Sequence, residues 1–301
     1  MTLHVVVGGA SGFLGRHLIG ALRAQGHTTT SLVRREPTAD DESRWDPASG
    51  RIDAQVIEDA DVVVNVAGSP TIGNPHSKRW ARNLRESRVT TTATIADAIA
   101  GADRKPAFLA GNAVAVYGDH GDAQVTEAGD SRGHTLMTEV TRAWEAAAQP
   151  AIDAGARVCV LRTSPVMDRE SEPLNLLRRL YRLGLGGKVG SGKQYFPMVS
   201  LRDWLGGVVF LAAHPEASGR FNLCCPQTPT YADFNRALAK AVGRPAFLPV
   251  PSAAIRIGAG PLAPELLGSV NLVPEALQEA GFEFRDRDVS AVIAAGLAAA
   301  R

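Results

Sequence analysis

Glycines at positions 9, 12 and 15 constrain this chain more than any other feature, because of what flanks them. The apolar residues 3–7 lead directly into Gly9-Ala10-Ser11-Gly12-Phe13-Leu14-Gly15. Residues 13–25 then carry Leu14, Leu18, Ala21 and Leu22 at helical spacing until Gly26 stops them. Where a buried strand turns straight into a helix, the first glycine supplies the bend and the second lets a pyrophosphate approach the backbone. The third lets helix and strand pack closely. The helix N-terminus adds free N–H groups and the positive end of its dipole. A tight turn without a ligand would show the same glycines. The strand before and the helix after point instead to a dinucleotide held by Gly9, Ser11, Gly12, Phe13 and Leu14.

The rest of the first half continues the same alternation, with strands predicted at residues 28–33, 61–67, 107–111 and 157–163 and helices at 81–100 and 138–154. Val62-Val63-Val64 and Val158-Cys159-Val160-Leu161 are continuously apolar, so both faces of these strands should be covered. The predicted fold class is α/β, a Rossmann-type doubly wound parallel sheet with a small C-terminal α/β lobe. Beyond Thr163, Pro165, Pro173, Gly184, Gly186, Gly187, Gly190 and Gly192 crowd a stretch that cannot be one regular element. That places a boundary between a cofactor-binding domain at 1–165, to which later segments are free to return, and a substrate-side lobe at 166–301. In the lobe, helices are predicted at 203–214, 231–242 and 289–300, and a strand at 221–223.

Composition narrows the partners. Thirty-two basic residues against 31 acidic ones give a net charge of +1, so no global field draws the chain to nucleic acid or to an anionic membrane. The apolar run at 204–213 contains two glycines and is far shorter than the roughly 20 residues that a spanning helix needs. No signal-peptide pattern opens the sequence. The cysteines are Cys159, Cys224 and Cys225. Their odd number and the adjacent pair fit a reducing cytoplasm rather than a disulfide framework or a metal site. The partner expected is a small molecule, and nothing in the sequence indicates an oligomeric state.

The second predicted strand ends Leu32-Val33-Arg34-Arg35-Glu36, about 20 residues beyond the glycines, where the adenosine ribose is read. An acid there would accept from a ribose 2′-OH, whereas arginines pair with a 2′-phosphate. Arg34 and Arg35 come first, which favours NADP(H) over NAD(H); an exposed basic doublet is the alternative. Asn65-Val66-Ala67-Gly68 places small residues where a cofactor crosses the sheet edge, although a plain strand-to-helix turn would look the same.

The glycine motif, Asn65 to Gly68, Tyr117-Gly118 and Leu161-Arg162-Thr163 together resemble the extended short-chain dehydrogenases/reductases. Arg182-Leu183-Gly184-Leu185-Gly186-Gly187, Gly190-Ser191-Gly192-Lys193-Gln194-Tyr195, Phe221 to Pro226 and Pro249-Val250-Pro251 are similar to an atypical, epimerase-like branch. Its C-terminal domain has no assigned role. The resemblance covers nearly the whole chain. It implies NADP(H) as cofactor, with Val66, Ala67, Gly68, Arg88, Pro165 and Val166 joining the glycine turn and the arginines as contacts. It also implies Lys188, Lys193 and Tyr195 beside the substrate.

The usual chemistry of that family is missing. Its catalytic members use a Ser or Thr at the end of the fifth strand and a Tyr-x-x-x-Lys on the next helix, where the lysine tunes the phenol for proton exchange. Counted from Trp144-Glu145, those positions hold Met137 and Thr141, and Asn112 stands about where the Ser belongs. Asn112 and Tyr117 are the remaining catalytic candidates. Asn112 does not titrate, and Tyr117 is equally readable as a buried structural aromatic. His120, His134, Glu139 and Glu145 rank lower, since lone titratable residues of this kind are more often structural or solvated. Gly187 to Lys193 mimics an ATP-binding P-loop, but Gln194 replaces the Mg²⁺-binding Ser/Thr and no strand precedes it. The loop suits a substrate cleft, with Lys188 and Lys193 facing an anion, or a glycine hairpin with solvated charges. Two functions remain: an NADP-dependent oxidoreductase or epimerase-like enzyme acting on a carbonyl or nucleotide-sugar substrate, or a cofactor-binding sensor that does not turn over.

Overall fold

The computed structural model describes residues 2–298. In chain order the strands are β1 His4–Gly8, β2 Thr28–Val33, β3 Glu42–Asp46, β4 Arg51–Ile52, β5 Val62–Asn65, β6 Ala107–Ala113, β7 Gln124–Val125, β8 Val158–Thr163, β9 Val166–Met167, β10 Val199–Ser200, β11 Gly219–Leu223 and β12 Asn271–Leu272. The helices begin with α1 Phe13–Ala24, α2 Ala54–Glu58, α3 Lys78–Gly101, α4 Leu136–Ala146, α5 Gln149–Asp153 and α6 Glu172–Arg182. They continue with α7 Leu201–Ala213, α8 Tyr231–Val242, α9 Ser252–Ala259, α10 Ala263–Leu267, α11 Glu275–Glu279 and α12 Val289–Leu297.

The main sheet runs β11-β8-β6-β5-β1-β2-β3-β4 and is parallel except at the short β4. Its order reverses between β5 and β1, the point at which an open α/β sheet leaves a crevice at the strand C-termini. Alternate residues serve opposite faces, as a period of two requires. Val5, Val7, Val64, Leu109 and Leu161 pack with α1 and α7 through Leu18, Leu22, Trp204 and Leu211. Val6, Val63, Phe108, Val158 and Val160 share the other core with Ile95, Ile99, Ala148 and Ala151. This two-sided burial is what the continuous valine runs predicted, and the α/β doubly wound expectation holds.

Several elements differ from expectation. β3, β4 and α2 were unforeseen, because Glu42-Ser43-Arg44-Trp45-Asp46 buries only Ser43 and Trp45 and reads as polar. The predicted helix at 138–154 is two helices: α4 starts earlier on its Thr135 cap, and Pro150 opens the separate α5. Pro173 does not break structure but sits in the first turn of α6, where its missing N–H costs nothing. The final helix ends at Leu297, and residues 299–300 of the expectation lie outside the described residues. Past residue 165 the chain rejoins the first core twice, through α7 against α1 and through β11 beside β8. The lobe's own core gathers Leu174, Tyr181, Phe234, Leu238, Val292 and Ile293.

Candidate functional site: a crevice with an uncapped helix and an unpaired arginine

Gly9 adopts φ +85°, and a Cβ there would come within 2.7 Å of the Ala67 backbone nitrogen. The β1 turn and the β5 turn therefore touch. A Cβ on Gly15 would collide with the Gly9 carbonyl, so the third glycine seats α1 against the turn. Gly12 is different. Its Cβ would meet only the Gly9 oxygen, at 3.2 Å, which leaves its outer side open. Gly12 is also the N-cap of α1, with no side-chain cap and no acid in the first turn. The N-terminal N–H groups of α1 thus await an acceptor from outside the helix. Ser11 is exposed beside it, and Phe13 and Leu14 are half-buried.

On the facing bank, Asn65 at the end of β5 accepts from the Ala67 N–H (3.1 Å) and donates to Thr92 (3.0 Å), which holds the Val66-Ala67-Gly68 turn. Arg88, on α3, lies against Gly68 and over the Trp144 ring, 5.3 Å from its centroid. Its guanidinium donates to the Leu84 carbonyl (2.9 Å) and the Thr71 hydroxyl (3.2 Å), while its Nε has no partner. It is 8% exposed and pairs with no carboxylate among the described residues. Burial draws its pKa down to about 10. An unpaired buried cation is costly unless a counter-ion reaches it, so the crevice is built for an anion.

The other expected cofactor residues divide. Arg34 is exposed and makes no side-chain hydrogen bond among the described residues. Arg35 instead grips Glu42 of β3 with two bonds, of 2.8 and 2.5 Å, and holds that carboxyl down at about 2. Arg35 is thus held by a carboxylate while Arg34 is not. Pro165 is half-buried, and its carbonyl receives the Val199 N–H; Val166 is buried in the first core.

Both catalytic candidates are hydrogen-bonded within the protein. Tyr117 is fully buried; it donates to Asn222 (2.7 Å) and accepts from Arg162 (2.8 Å), and burial raises its pKa. Arg162 in turn forks onto Glu145 (3.0 and 3.2 Å). This network ties the loop after β6 to β8, β11 and α4. Asn112 donates to the Thr141 carbonyl (3.2 Å) and accepts from the Ala113 N–H (2.7 Å). The Thr141 hydroxyl back-bonds to Met137 (2.8 Å), and His120 is buried against Asp130. His134 and Glu139 are exposed at the start of α4.

The Gly187–Lys193 loop is not a P-loop. Gly187 lies against the Leu248 carbonyl, Val189 bridges to Val250, and Gln194 donates back to Val189 (3.1 Å), closing the loop on itself. Lys188 and Lys193 are exposed, and Tyr195 is half-buried beside Ser269. Residues 252–267, which carry no distinctive pattern in the sequence, form a roof over the loops that follow β5 and β6. Gly260 packs on His76 of the loop after β5, Gly268 on Asp119 of the loop after β6, and Glu265 accepts from Thr135 (2.8 Å) at the start of α4.

Comparison with known proteins agrees with this geometry. Residues 5–224 match the NAD dependent epimerase/dehydratase family, and residues 250–295, which include the roof, match a domain of unknown function, DUF1731. The chain belongs to the NAD dependent epimerase/dehydratase family. A relative in Mycobacterium leprae, named epimerase family protein ML0860, is 37% identical over 290 residues, covering 95% of this chain and 92% of that protein. The crystal structure of human epimerase family protein SDR39U1 with NADPH superposes with a TM-score of 0.87 at 30% identity, covering 97% of this chain and 98% of the human one. A nucleoside-diphosphate sugar epimerase from Corynebacterium glutamicum superposes at 0.79 with 32% identity; this chain is covered to 99% and spans 58% of that one. The extended short-chain dehydrogenase pattern with its added C-terminal domain is therefore borne out. Among the described residues no helix is long and apolar enough to cross a membrane.

Proposed function

We propose that this family member binds NADPH along the crevice and acts as an oxidoreductase or epimerase-like enzyme on a small anionic carbonyl or nucleotide-sugar substrate. The observation that carries the reading is the pairing of an uncapped α1 N-terminus at Gly12 with the unpaired, buried Arg88 across the same crevice. The human relative solved with NADPH supports the choice of cofactor. Gly9, Gly12 and the α1 N-terminus would hold the pyrophosphate, Arg34 the 2′-phosphate, and Val66 to Gly68 with Arg88 the remainder. When bound, the reduced nicotinamide supplies a hydride. The chain's part is to orient the carbonyl, with Lys188, Lys193 and Tyr195 receiving the anionic portion, and to exclude water beneath the roof. The three cysteines are all free and buried, which suits a reducing compartment such as the cytoplasm.

A second reading, a sensor that binds NADPH without turnover, is favoured by Met137 and Thr141 in place of the usual tyrosine and lysine. Calorimetry tests the shared core of both. NADPH should bind more tightly than NADH, and Gly12→Val should lose binding while melting near the unmodified protein, because Gly12 is open on its outer side. Equal affinity for the two cofactors, or binding that survives Gly12→Val, would refute the site.

A further inference from the structure

A carbonyl reduced in this crevice needs a proton, and the groups that usually supply it are absent. The roof brings a replacement to the same end of α4. Glu265, on α10, accepts the Thr135 hydroxyl through Oε1 at 2.8 Å. That hydroxyl is also the N-cap of α4, receiving the Thr138 N–H at 3.1 Å and meeting the Thr138 hydroxyl at 2.7 Å. Met137, at the position of the missing tyrosine, is two residues further on. Oε1 is thus occupied as an acceptor. Oε2 has no hydrogen-bond partner among the described residues and is not sealed from solvent, which leaves it free to meet a ligand lying against the start of α4. Glu265 is only partly exposed, and burial raises its pKa.

The ionisable groups on the elements around it leave it unpaired. On α4 and its approach, His134 and Glu139 face each other at 3.9 Å in solvent. Asp119, on the loop after β6, is committed to the Gly121 and Ser269 N–H groups. His76, on the loop after β5, packs on Gly260, and Lys188 and Lys193 are exposed on their own loop.

We propose that Glu265 is the proton donor to the substrate's carbonyl oxygen, taking the place of the absent tyrosine. This rests on the oxidoreductase reading above. The carbonyl carbon takes a hydride from the reduced nicotinamide, and its C–O π pair moves onto oxygen. The oxygen takes the proton from Glu265 Oε2. The products are an alcohol, the oxidised cofactor and a glutamate carboxylate, which regains its proton from water. The acid form is the active one, so turnover is highest at low pH and falls as pH rises through the raised pKa of Glu265.

The test uses the full chain, NADPH and 4-nitrobenzaldehyde. Glu265→Gln should slow aldehyde reduction by about 10²- to 10⁴-fold and remove the fall with pH, while NADPH affinity stays unchanged. Glu265→Asp should restore part of the rate with a shifted pH profile, and Glu139→Gln should change nothing. Independently of activity, infrared titration of the cofactor-free protein should show a protonated carboxyl persisting above the ordinary carboxylate range and missing from Glu265→Gln. If the unmodified protein fails to bind NADPH, the oxidoreductase reading falls. If it binds NADPH but reduces no aldehyde, the oxidoreductase reading gives way to the sensor; if it reduces the aldehyde with equal rates in Glu265→Gln, with turnover lost in Tyr195→Phe alone, or with no such carboxyl, the assignment of Glu265 is overturned.

Discussion

Arg34 and Arg35 are adjacent in sequence and opposite in circumstance. Arg35 is locked onto Glu42, whose carboxyl is held at about 2, so the pair stays intact as pH falls until it approaches that value. Mild acid therefore does not release Arg35 to a ligand. Arg34 alone is free to meet a 2′-phosphate. Arg34→Ala should weaken NADPH binding by about 1.5–3 kcal/mol, the worth of a charge-assisted hydrogen bond, and leave NADH binding unchanged. Arg35→Ala should affect cofactor choice far less. Titration of both variants with both cofactors decides it, and a larger loss of NADPH preference in Arg35→Ala would reverse the assignment. The doublet itself was legible in the sequence. Its division was not, because that depends on β3, whose alternation of buried Ser43 and Trp45 with charged residues resembles a loop. The contacts of Tyr117 and Asn112 were hidden for a related reason: their partners Asn222, Arg162 and Thr141 lie 105, 45 and 29 residues away.

At the scale of elements, the β1 turn and α1 were readable because glycine spacing, strand and helix are all local. Each glycine has a separate duty, and the structure distinguishes them. Gly15→Ala should force α1 away from the Gly9 carbonyl, costing both stability and cofactor affinity, whereas Gly12 variants should cost affinity alone. A thermal melt beside a binding isotherm separates the two, and a Gly15→Ala protein with an unchanged melting temperature would show that the packing is slack. The roof helices were invisible to pattern. Residues 252–259 fully bury no side chain and α9 meets the lobe core only through Ile255, which is too little for an apolar stripe, and α10 is only five residues long. Glu265 could have been found only through the helix cap it meets, 130 residues earlier in the chain.

For the whole molecule, the boundary after Thr163 marks a real change of character but not a separable piece. Trp204 and Leu211 on α7 and Phe221 on β11 belong to the first core. A fragment ending at residue 165 leaves the outer edge of β8 unpaired and strips α1 of its neighbour. It should show no cooperative melt, a point that circular dichroism checks directly; a sharp transition in the fragment would mean that the first half is self-sufficient. The proline and glycine cluster was legible as a change of texture. The return of β11 was not, because parallel pairing across 60 residues leaves no local mark.

The route of β11 has one more consequence. The chain passes from the sheet to the lobe after β8, comes back along α7 and β11, and departs again, so sheet and lobe are laced together like the sides of a boot. Spreading them would tear backbone pairing along β8. Along that edge the sheet and the lobe are therefore one mechanical unit, with no seam at which a hinge could act without breaking strand pairing.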